Sequence, residues 1–417
     1  MSLLIQAQRQ LISVILSEDV TSLSDPSNRE AIRSLIHLPF QVVVDDQENQ
    51  EKNENDVDKV SQMAQDLTPL SFACLYGKSV SVVKLLVEEH GANEFQACEL
   101  GELGLALPFH FACANGYTGE IVRYLLSRKK FQDIYDGEIK VSSSRANSSE
   151  QSVVVSENAE HNRQRLRNIV TCQCSNRDKC ANALHIASMN PGESSVQIMQ
   201  TLLDHLGAET VGALHQLYAG SRRAIHLVAA NSAPTSKQDT KEQEQTQREM
   251  ARIALAKIQL LIDKGEDINV LEGADRSGAS ALFLSSGNMH LFQSMLTTYR
   301  TELNLEVKFK KSAQERAPRA ILAHFMEMAQ ELETEDEQYV YQVLNQLVLH
   351  GADYRQYCDD VRLIHQACSA HQLFLVRTLM DKGEDINVRT KKEDYTCCFI
   401  LCRNDTDIPR SSALLCY

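Results

Sequence analysis

Apolar residues recur along most of the chain in short stripes of helical periodicity, joined by polar turns. The stretch that begins at Thr68 reads TPLSFACLYGKSVSVVKLLVEEHGAN and holds two such stripes. Thr68 is suited to cap the first helix, and Pro69 suits the first helical turn because its missing N–H costs nothing there. The second stripe, over residues 81–89, has the spacing of an amphipathic helix and precedes Gly91, a residue that readily ends a helix in the left-handed conformation. The pattern predicts a helical hairpin.

The same pattern returns several times. Clear copies begin at Leu107 (LPFHFACANG), Asn182 (NALHIASMN), Arg223 (RAIHLVAAN), Ser280 (SALFLSSGN) and Arg362 (RLIHQACSA), and weaker copies begin at Arg319 and Thr396. The pieces LLIDKGEDINV and LMDKGEDINV are almost identical although they are far apart in the chain. A lone hairpin of this kind cannot bury its own apolar face, so neighbouring hairpins must stack to bury it.

These segments resemble the ankyrin repeat, whose signature is T-P-L-H-x-A, then a glycine, then L-L-x-x-G-A-D-(I/V)-N. The resemblance covers residues 63–403 and implies an all-α ankyrin-repeat solenoid of about seven or eight helical hairpins. The positions equivalent to the signature histidine are Ser71, His110, His185, His226, Phe283, Leu322, His365 and Phe399. Most of their spacings exceed the family period of about 33 residues, so most units carry insertions.

The remaining segments predict the domain organisation. Residues 1–44 have helical periodicity and are expected to form an N-terminal helical cap, the alternative being a separate partner-binding helix pair. Residues 45–62 are acidic and nearly free of apolar residues, which predicts a solvated or disordered linker. Polar insertions interrupt the array at about 128–175, where a serine-rich disordered loop is expected, and at 232–250, which either lengthens a helix or loops out. Residues 404–417 form a C-terminal tail.

Composition narrows the class of protein. Hydrophobic residues make up 43% of the chain and charged residues 24%, as in an ordinary folded protein, and only 17 glycines and 8 prolines are present, which favours helices. No apolar run is long enough to span a membrane and the N-terminus lacks the features of a signal peptide, so a cytoplasmic location is expected, secretion as a bacterial effector into a host cell being compatible. A net charge of −14 disfavours nucleic acid and anionic membranes as partners.

Twelve cysteines are present, and three of them share near-identical apolar contexts. We interpret these three as small core residues of a reduced protein: Cys74, Cys113 and Cys368.

Two other groups of cysteines suggest chemistry. The first, a candidate zinc set whose spacing matches none of the common paired patterns, is Cys172, Cys174 and Cys180 followed by His185. The second offers redox or lipid-attachment chemistry, the alternative being the apolar edge of a degenerate last unit, and comprises Cys397, Cys398, Cys402 and Cys416. The spacings favour the structural alternative in both cases, so neither a metal nor a cofactor is predicted.

The histidines at the signature position suggest a metal or catalytic set at first sight. They are His110, His185, His226 and His365. Because the repeat holds them about one hairpin apart, they are too distant for a common metal site, and the resemblance implies that each orients its own unit through hydrogen bonds. The sequence contains no G-x-S-x-G, P-loop, G-x-G-x-x-G or H-E-x-x-H motif, so catalysis is not predicted.

The resemblance implies a scaffold or adaptor that binds partner proteins. In the family, hairpin tips and first helices form a concave binding face, and the candidate partner-binding residues at the tips are Arg177, Asp178, Asp275, Arg276, Lys391 and Lys392. The acidic balance favours partners with a basic patch, and neither a nucleic acid, a membrane nor a small-molecule substrate is expected. Two rival hypotheses are an effector-like bacterial ankyrin protein with a hidden enzymatic activity, and a hub whose serine-rich loop at 141–158 carries the binding motif.

Two asparagines resemble modification sites. Asn269 and Asn387 each follow a leucine and an Asp-Ile pair, a pattern similar to that in substrates of an asparaginyl hydroxylase, which implies hydroxylation in a host that has such an enzyme. The alternative is that both asparagines only fix the hairpin turn.

Overall fold

A computed structural model describes most of the chain, and the residues that it describes are 3–40, 66–128, 173–174, 176, 180–207, 212, 214–218, 221–232, 241–272, 279–299, 306–307, 319–331, 334–355, 357–358 and 361–403. The chain divides into two compact units. Unit 1 comprises Met1–Ser232 and Glu249–Asp267, and unit 2 comprises Ala233–Arg248 and Ile268–Tyr417.

Unit 1 begins with three helices that cap the first hairpin. They are α1 (Leu3–Ser17), α2 (Val20–Ser24) and α3 (Arg29–Leu35). The Glu18 carboxylate accepts the backbone N–H groups of Lys78 and Ser79, at 2.7 and 2.6 Å, and so satisfies donors at the start of the next hairpin's second helix. A ring nitrogen of His90 lies 2.9 Å from the carbonyl oxygen of Leu23. These contacts agree with the predicted helical cap.

Helical hairpins follow the cap, and we number them repeats 1 to 4. They comprise α4 (Pro69–Tyr76) with α5 (Val80–Glu88), α6 (Pro108–Ala114) with α7 (Glu120–Ser127), α8 (Ala183–Met189) with α9 (Ser194–Leu206), and α10 (Ala224–Ala230) with α11 (Lys241–Asp263). The first helices α4, α6, α8 and α10 stack in that order, and the second helices α5, α7 and α9 stack beside them. Their apolar side chains form the core of unit 1, with Phe72, Phe109 and Ile225 fully buried. Because α6 and α8 each have a first helix on both sides, their apolar residues are buried around most of their circumference.

Unit 2 holds the later repeats. Repeat 5 is α12 (Ala281–Ser285) with α13 (Met289–Thr298), repeat 6 is α14 (Ile321–Glu331) with α15 (Thr334–Leu349), repeat 7 is α16 (Leu363–Ser369) with α17 (Leu373–Asp381), and α18 (Cys397–Arg403) is the first helix of repeat 8. The weakly matching stretch around Leu322 is therefore a full hairpin, in which Leu322 and Phe325 are buried. The ring of Phe283 lies 5.0 Å from that of Phe325, which joins repeats 5 and 6.

Short antiparallel strand pairs precede some of the first helices. The pairs are β1 (Cys98–Glu99) with β2 (Leu105–Ala106), β3 (Glu306–Val307) with β4 (Arg319–Ala320), and β5 (Tyr357–Cys358) with β6 (Val361–Arg362). Single bridges occupy the same place before repeats 3, 4 and 5, as in Gln173 with Asn182. We call each of these connections, from one repeat to the next first helix, a finger. The strands among the described residues form only two-stranded pairs, and the other regular elements there are helices, so the all-α prediction is confirmed.

The predicted insertions and linker are only partly covered by the structure. Residues 241–250 of the second insertion belong to α11, so this part lengthens the second helix of repeat 4. The linker at 45–62, nearly all of the insertion at 128–175 and the tail at 404–417 lie outside the described residues, and their boundaries remain predictions. Within the part of the chain that the structure covers, no helix combines the length and apolarity needed to cross a membrane.

Candidate functional site

Four first helices begin with the same hydrogen-bonded arrangement. In each, the histidine Nδ1 accepts the backbone N–H of the residue three positions earlier, at 3.1 Å for His110, 3.3 Å for His185, 3.1 Å for His226 and 3.0 Å for His365. Because Nδ1 accepts, the neutral ring carries its proton on Nε2. That Nε2 lies 3.1 Å from the Gln216 carbonyl in repeat 3 and 2.9 Å from the Val388 carbonyl in repeat 7. In these two repeats the histidine joins the start of its helix to the following finger.

The same geometry argues against the zinc set. Burial lowers the pKa of His185 to about 4, so its imidazole is neutral at pH 7. Both of its ring nitrogens are engaged with the backbone, which leaves no lone pair for a metal ion. Cys172 lies outside the described residues, and Cys174 is buried while Cys180 is half-buried. The described residues contain no group of three or more His, Cys, Asp or Glu side chains arranged to hold a metal.

Repeat 1 replaces the histidine with a different acceptor. Ser71 occupies the signature position, and the backbone N–H of Thr68 instead donates to the sulfur of Cys98 at 3.4 Å. The Ser71 hydroxyl donates to the same sulfur at 3.4 Å, and the Thr68 hydroxyl accepts the Ser71 N–H at 3.3 Å. Cys98, on β1 of the finger, therefore takes the place of the imidazole. Sequence reasoning missed this residue, although a serine at the histidine position shows that the capping N–H needs a substitute acceptor.

Repeat 1 also matches a known family. A family model described as the ankyrin repeat matches residues 65–97, which run from the start of α4 through α5 to the following finger. The chain therefore contains an ankyrin repeat at residues 65–97. The other hairpins repeat the same helix–helix–finger geometry. Ankyrin repeats are protein-interaction modules in general, and this coarse function is what the family match supports.

The chain is also similar to a solved structure, although the similarity is distant. The chain is similar to the ankyrin repeat domain of Bcl-3, described as a unique member of the IkappaB protein family, at 17% sequence identity and a TM-score of 0.31. The similarity covers 80% of this chain and 93% of that domain. No curated protein matches the sequence.

Successive ankyrin repeats in unit 1 are joined by side chains that we call the inter-repeat donors, namely Asn115, Asn190 and Lys257. Each donates to backbone carbonyls at the C-terminal end of the preceding first helix. Asn115 Nδ2 donates to Cys74 O at 2.9 Å and Gly77 O at 2.8 Å, and Asn190 Nδ2 donates to Cys113 O at 3.3 Å and Asn115 O at 2.8 Å. Carbonyls at the end of a helix lack a partner within that helix, so the donors help to satisfy them. The Asn115 carbonyl also accepts the Ser194 hydroxyl at 2.9 Å.

A sequence signal for the two asparagines exists. Asparagine stands five positions after the signature position in four repeats, at Asn115, Asn190, Asn231 and Asn288. In repeat 4 the amide of Asn231 turns back to the Leu227 carbonyl of its own helix, at 2.9 Å. Lys257 of α11 takes over the inter-repeat bond at that junction, and no local pattern marks it.

Paired arginine and glutamate side chains hold the base of two fingers. Arg223 lies 3.0 Å from Glu266, and Arg362 lies 3.0 Å from Glu384. Both glutamates are buried, and burial raises the pKa of Glu266 while Arg223 opposes that rise. Each arginine caps a first helix and each glutamate follows the end of the second helix of its repeat, so the pair closes the hairpin. This contact gives a physical reason for the shared K-G-E-D-I-N sequence.

The finger after repeat 7 carries the predicted tip lysines. Thr390 N–H donates to the Tyr395 carbonyl at 2.9 Å, and Tyr395 N–H donates to the Thr390 hydroxyl at 3.0 Å, which closes the loop. Lys391 and Lys392 lie exposed in the turn between these two residues. The other candidate tip residues, Arg177, Asp178, Asp275 and Arg276, lie outside the described residues.

The candidate hydroxylation sites differ in exposure. Asn387 is exposed, and its backbone N–H donates to the Asp385 carboxylate at 2.9 Å, so the Asp385 side chain stabilises this turn. Asn269 is half-buried. Hydroxylation of either residue remains a prediction.

The cysteines whose side chains the structure describes form no disulfide bonds. Cys74, Cys113 and Cys368 are buried, and burial raises the pKa of the Cys74 and Cys113 thiols, so both stay protonated at neutral pH. Cys397 is buried and its thiol forms a hydrogen bond with that of Cys368, which together with burial raises the pKa of Cys397. Of the remaining C-terminal cysteines, Cys398 and Cys402 are exposed and Cys416 lies outside the described residues.

Proposed function

We propose that this ankyrin-repeat protein is a scaffold or adaptor that binds partner proteins through its finger tips and the exposed sides of its first helices. The observation that carries the proposal is the fixed position of the fingers. Histidine bonds join the finger to the first helix in repeats 3 and 7, and Arg–Glu pairs close the base in repeats 4 and 7. A surface held in this way loses little conformational entropy on binding, so many modest contacts suffice.

Charge suggests the chemistry of the partner. The net charge of −14 favours a partner with a basic patch, attracted through long-range steering. The tip of the finger after repeat 7 carries both signs, because the exposed Glu393 and Asp394 follow Lys391 and Lys392 in the same turn. We therefore expect the partner surface at this tip to present acidic groups opposite the two lysines, beside basic groups opposite the two carboxylates.

An affinity purification with quantitative mass spectrometry tests the proposed surface. The double variant Lys391→Glu/Lys392→Glu should reduce capture of specific partners by about tenfold, since reversing two rim charges in an interface costs on the order of 1–2 kcal/mol. The matched control is Lys78→Glu/Lys84→Glu in repeat 1, which makes the same charge change just before α5 and in the middle of α5, away from any finger tip.

Each outcome decides the matter. Loss of partners in the tip variant with retention in the control supports binding through this finger. Equal capture by both variants and the unaltered chain contradicts it. Deletion of residues 141–158 in a third arm addresses the serine-rich loop, because unchanged partners after that deletion would reject the loop as the binding element.

A further inference from the structure

The inter-repeat donor between repeats 3 and 4 is a buried ammonium group. Lys257 is 2% exposed and lies on the part of α11 that belongs to unit 1. Its Nζ donates to the carbonyls of Ala187 at 3.1 Å, Ser188 at 3.3 Å and Asn190, all at the C-terminal end of α8. The equivalent positions at the two preceding junctions receive neutral amide donors. This junction alone among the three therefore depends on a group that gains or loses a proton.

The described residues that line the surroundings of this ammonium group carry no charge. It borders a small cavity in unit 1, and the lining includes Ser188, Asn190, Val228, Met250, Ile253 and Ala254. None of the described residues around this cavity other than Lys257 is ionisable.

The charged groups on the elements that pack here are engaged elsewhere. Glu193, in the turn after α8, pairs with Arg252 of α11 at 2.7 Å, and both side chains are more than half exposed. His185 and His226 lie at the opposite, N-terminal ends of α8 and α10, where each ring accepts a backbone N–H. None of the carboxylates that the structure describes therefore compensates the Lys257 charge, and among the described groups only carbonyl dipoles favour it.

Burial lowers the pKa of Lys257 from its ordinary 10.5 to about 7. The unfolded chain then binds more protons than the folded chain between about pH 7 and pH 10.5. The free energy of unfolding consequently rises with pH across that window, and the full penalty for the buried charge is present below about pH 7. The neutral amine keeps two N–H donors for the carbonyls of α8.

We propose that Lys257 makes the junction between repeats 3 and 4 pH-sensitive: acidification through neutral pH places a positive charge in this uncharged cavity and loosens the contact of α11 with α8. Above neutral pH the deprotonated amine keeps the junction closed. The amide donors Asn115 and Asn190 have no charge to gain, so their junctions do not respond in this way. The inference concerns the stability of the repeat array and does not depend on which partner binds.

Hydrogen exchange measured by mass spectrometry on the full chain tests the proposal. After correction for intrinsic exchange, peptides from α8 and from residues 249–263 should be about tenfold or more better protected at pH 8.5 than at pH 6. The Lys257→Met variant, which cannot titrate, should lose this pH dependence in the same peptides. The matched control is Lys264→Gln, directly after the end of the same helix. This lysine is one-third exposed and lies 3.0 Å from Asp204, and the variant should behave like the unaltered chain.

A direct measurement covers the case in which Lys257→Met does not fold. In the unaltered protein with 13C-labelled lysine, one side-chain resonance should titrate with a midpoint near pH 7. The proposal is overturned if no lysine resonance titrates below about pH 9, or if protection of α8 and α11 is the same at both pH values.

Discussion

At the junction between repeats 2 and 3, the Asn190 amide donates to two carbonyls at the end of α6 from a turn that directly follows its own first helix. At the next junction the same task falls to Lys257, which reaches the end of α8 from the middle of the long helix α11. Both donors satisfy buried carbonyls that the preceding helix leaves without partners. The two junctions therefore share one structural requirement but meet it with a neutral and an ionisable group.

The polar insertion accompanies this difference. In repeat 3, Asn190 is followed within a few residues by α9, so the turn is short and the asparagine stays at the junction. In repeat 4, residues 233–250 separate α10 from the apolar part of α11, and the Asn231 amide turns to its own helix. A donor from α11 then has to replace it. At this insertion the donor of the junction changes from an amide to an amine, while the first helices α8 and α10 still stack.

The largest expected effect on the free energy of unfolding lies outside both junctions. It gives the cost of truncating a buried apolar side chain, with which the cost of removing a polar donor can be compared. Leu86 of α5 is fully buried, so Leu86→Ala should lower the free energy of unfolding by about 2–5 kcal/mol through lost burial and an unfilled cavity. Calorimetry or urea unfolding measures this loss. A change below about 0.5 kcal/mol would mean that α5 does not pack as described.

Removal of the neutral donor should have a somewhat smaller effect. Asn190→Ala leaves the Cys113 and Asn115 carbonyls without this donor and deprives the Gly192 N–H of an acceptor at 2.9 Å, which should cost about 2–4 kcal/mol. Asn231→Ala is the matched control, because the amide of this exposed residue bonds only within its own helix and should contribute less than about 1 kcal/mol. Urea unfolding at pH 6 and pH 8.5 should give the same Asn190→Ala loss. A loss that changes with pH would remove the contrast with Lys257.

The fold could be predicted from the sequence because each repeat uses the same capping residues, apolar positions and turn glycines. The signature histidines, Gly265 and Gly383 have the positions that the pattern predicts, and both glycines adopt positive φ angles of 98° and 87°. Ser71 shows the limit, since its replacement acceptor Cys98 lies 27 residues further along the chain and only the folded finger brings the two together. Lys257 shows the same limit more strongly. A lysine within an amphipathic helix is normally solvent-exposed, and only the stacking of α11 on α8 reveals that this one is buried.

The candidate binding site was predicted less completely for a different reason. Tip residues such as Lys391 and Lys392 follow from the family pattern, because the finger has a fixed place after each second helix. Which tips meet a partner depends on the partner's own surface, and no periodicity in this chain encodes that surface. The repeat fold can therefore be predicted from the sequence, whereas its binding specificity cannot.

The smallest expected effect concerns the turns that bring repeats 2 and 3 together. A Cβ atom on Gly192 would lie 2.8 Å from Gly116 Cα and 2.9 Å from Gly116 O, so Gly192→Ala should push the two turns apart and lower the free energy of unfolding by about 1–3 kcal/mol. Gly116→Ala is the control, because a Cβ there meets nothing within 4 Å and should change stability by less than about 1 kcal/mol. Urea unfolding of both variants measures the difference, and equal losses of unfolding free energy would contradict the close approach.

Because the Gly192 N–H also bonds to Asn190, a double variant, Asn190→Ala/Gly192→Ala, tests whether the turn and the amide act together. Asn190→Ala should lower the free energy of unfolding less in the Gly192→Ala variant than in the unaltered chain. That result would mean that the close approach of the turns positions the Asn190 amide on its carbonyls.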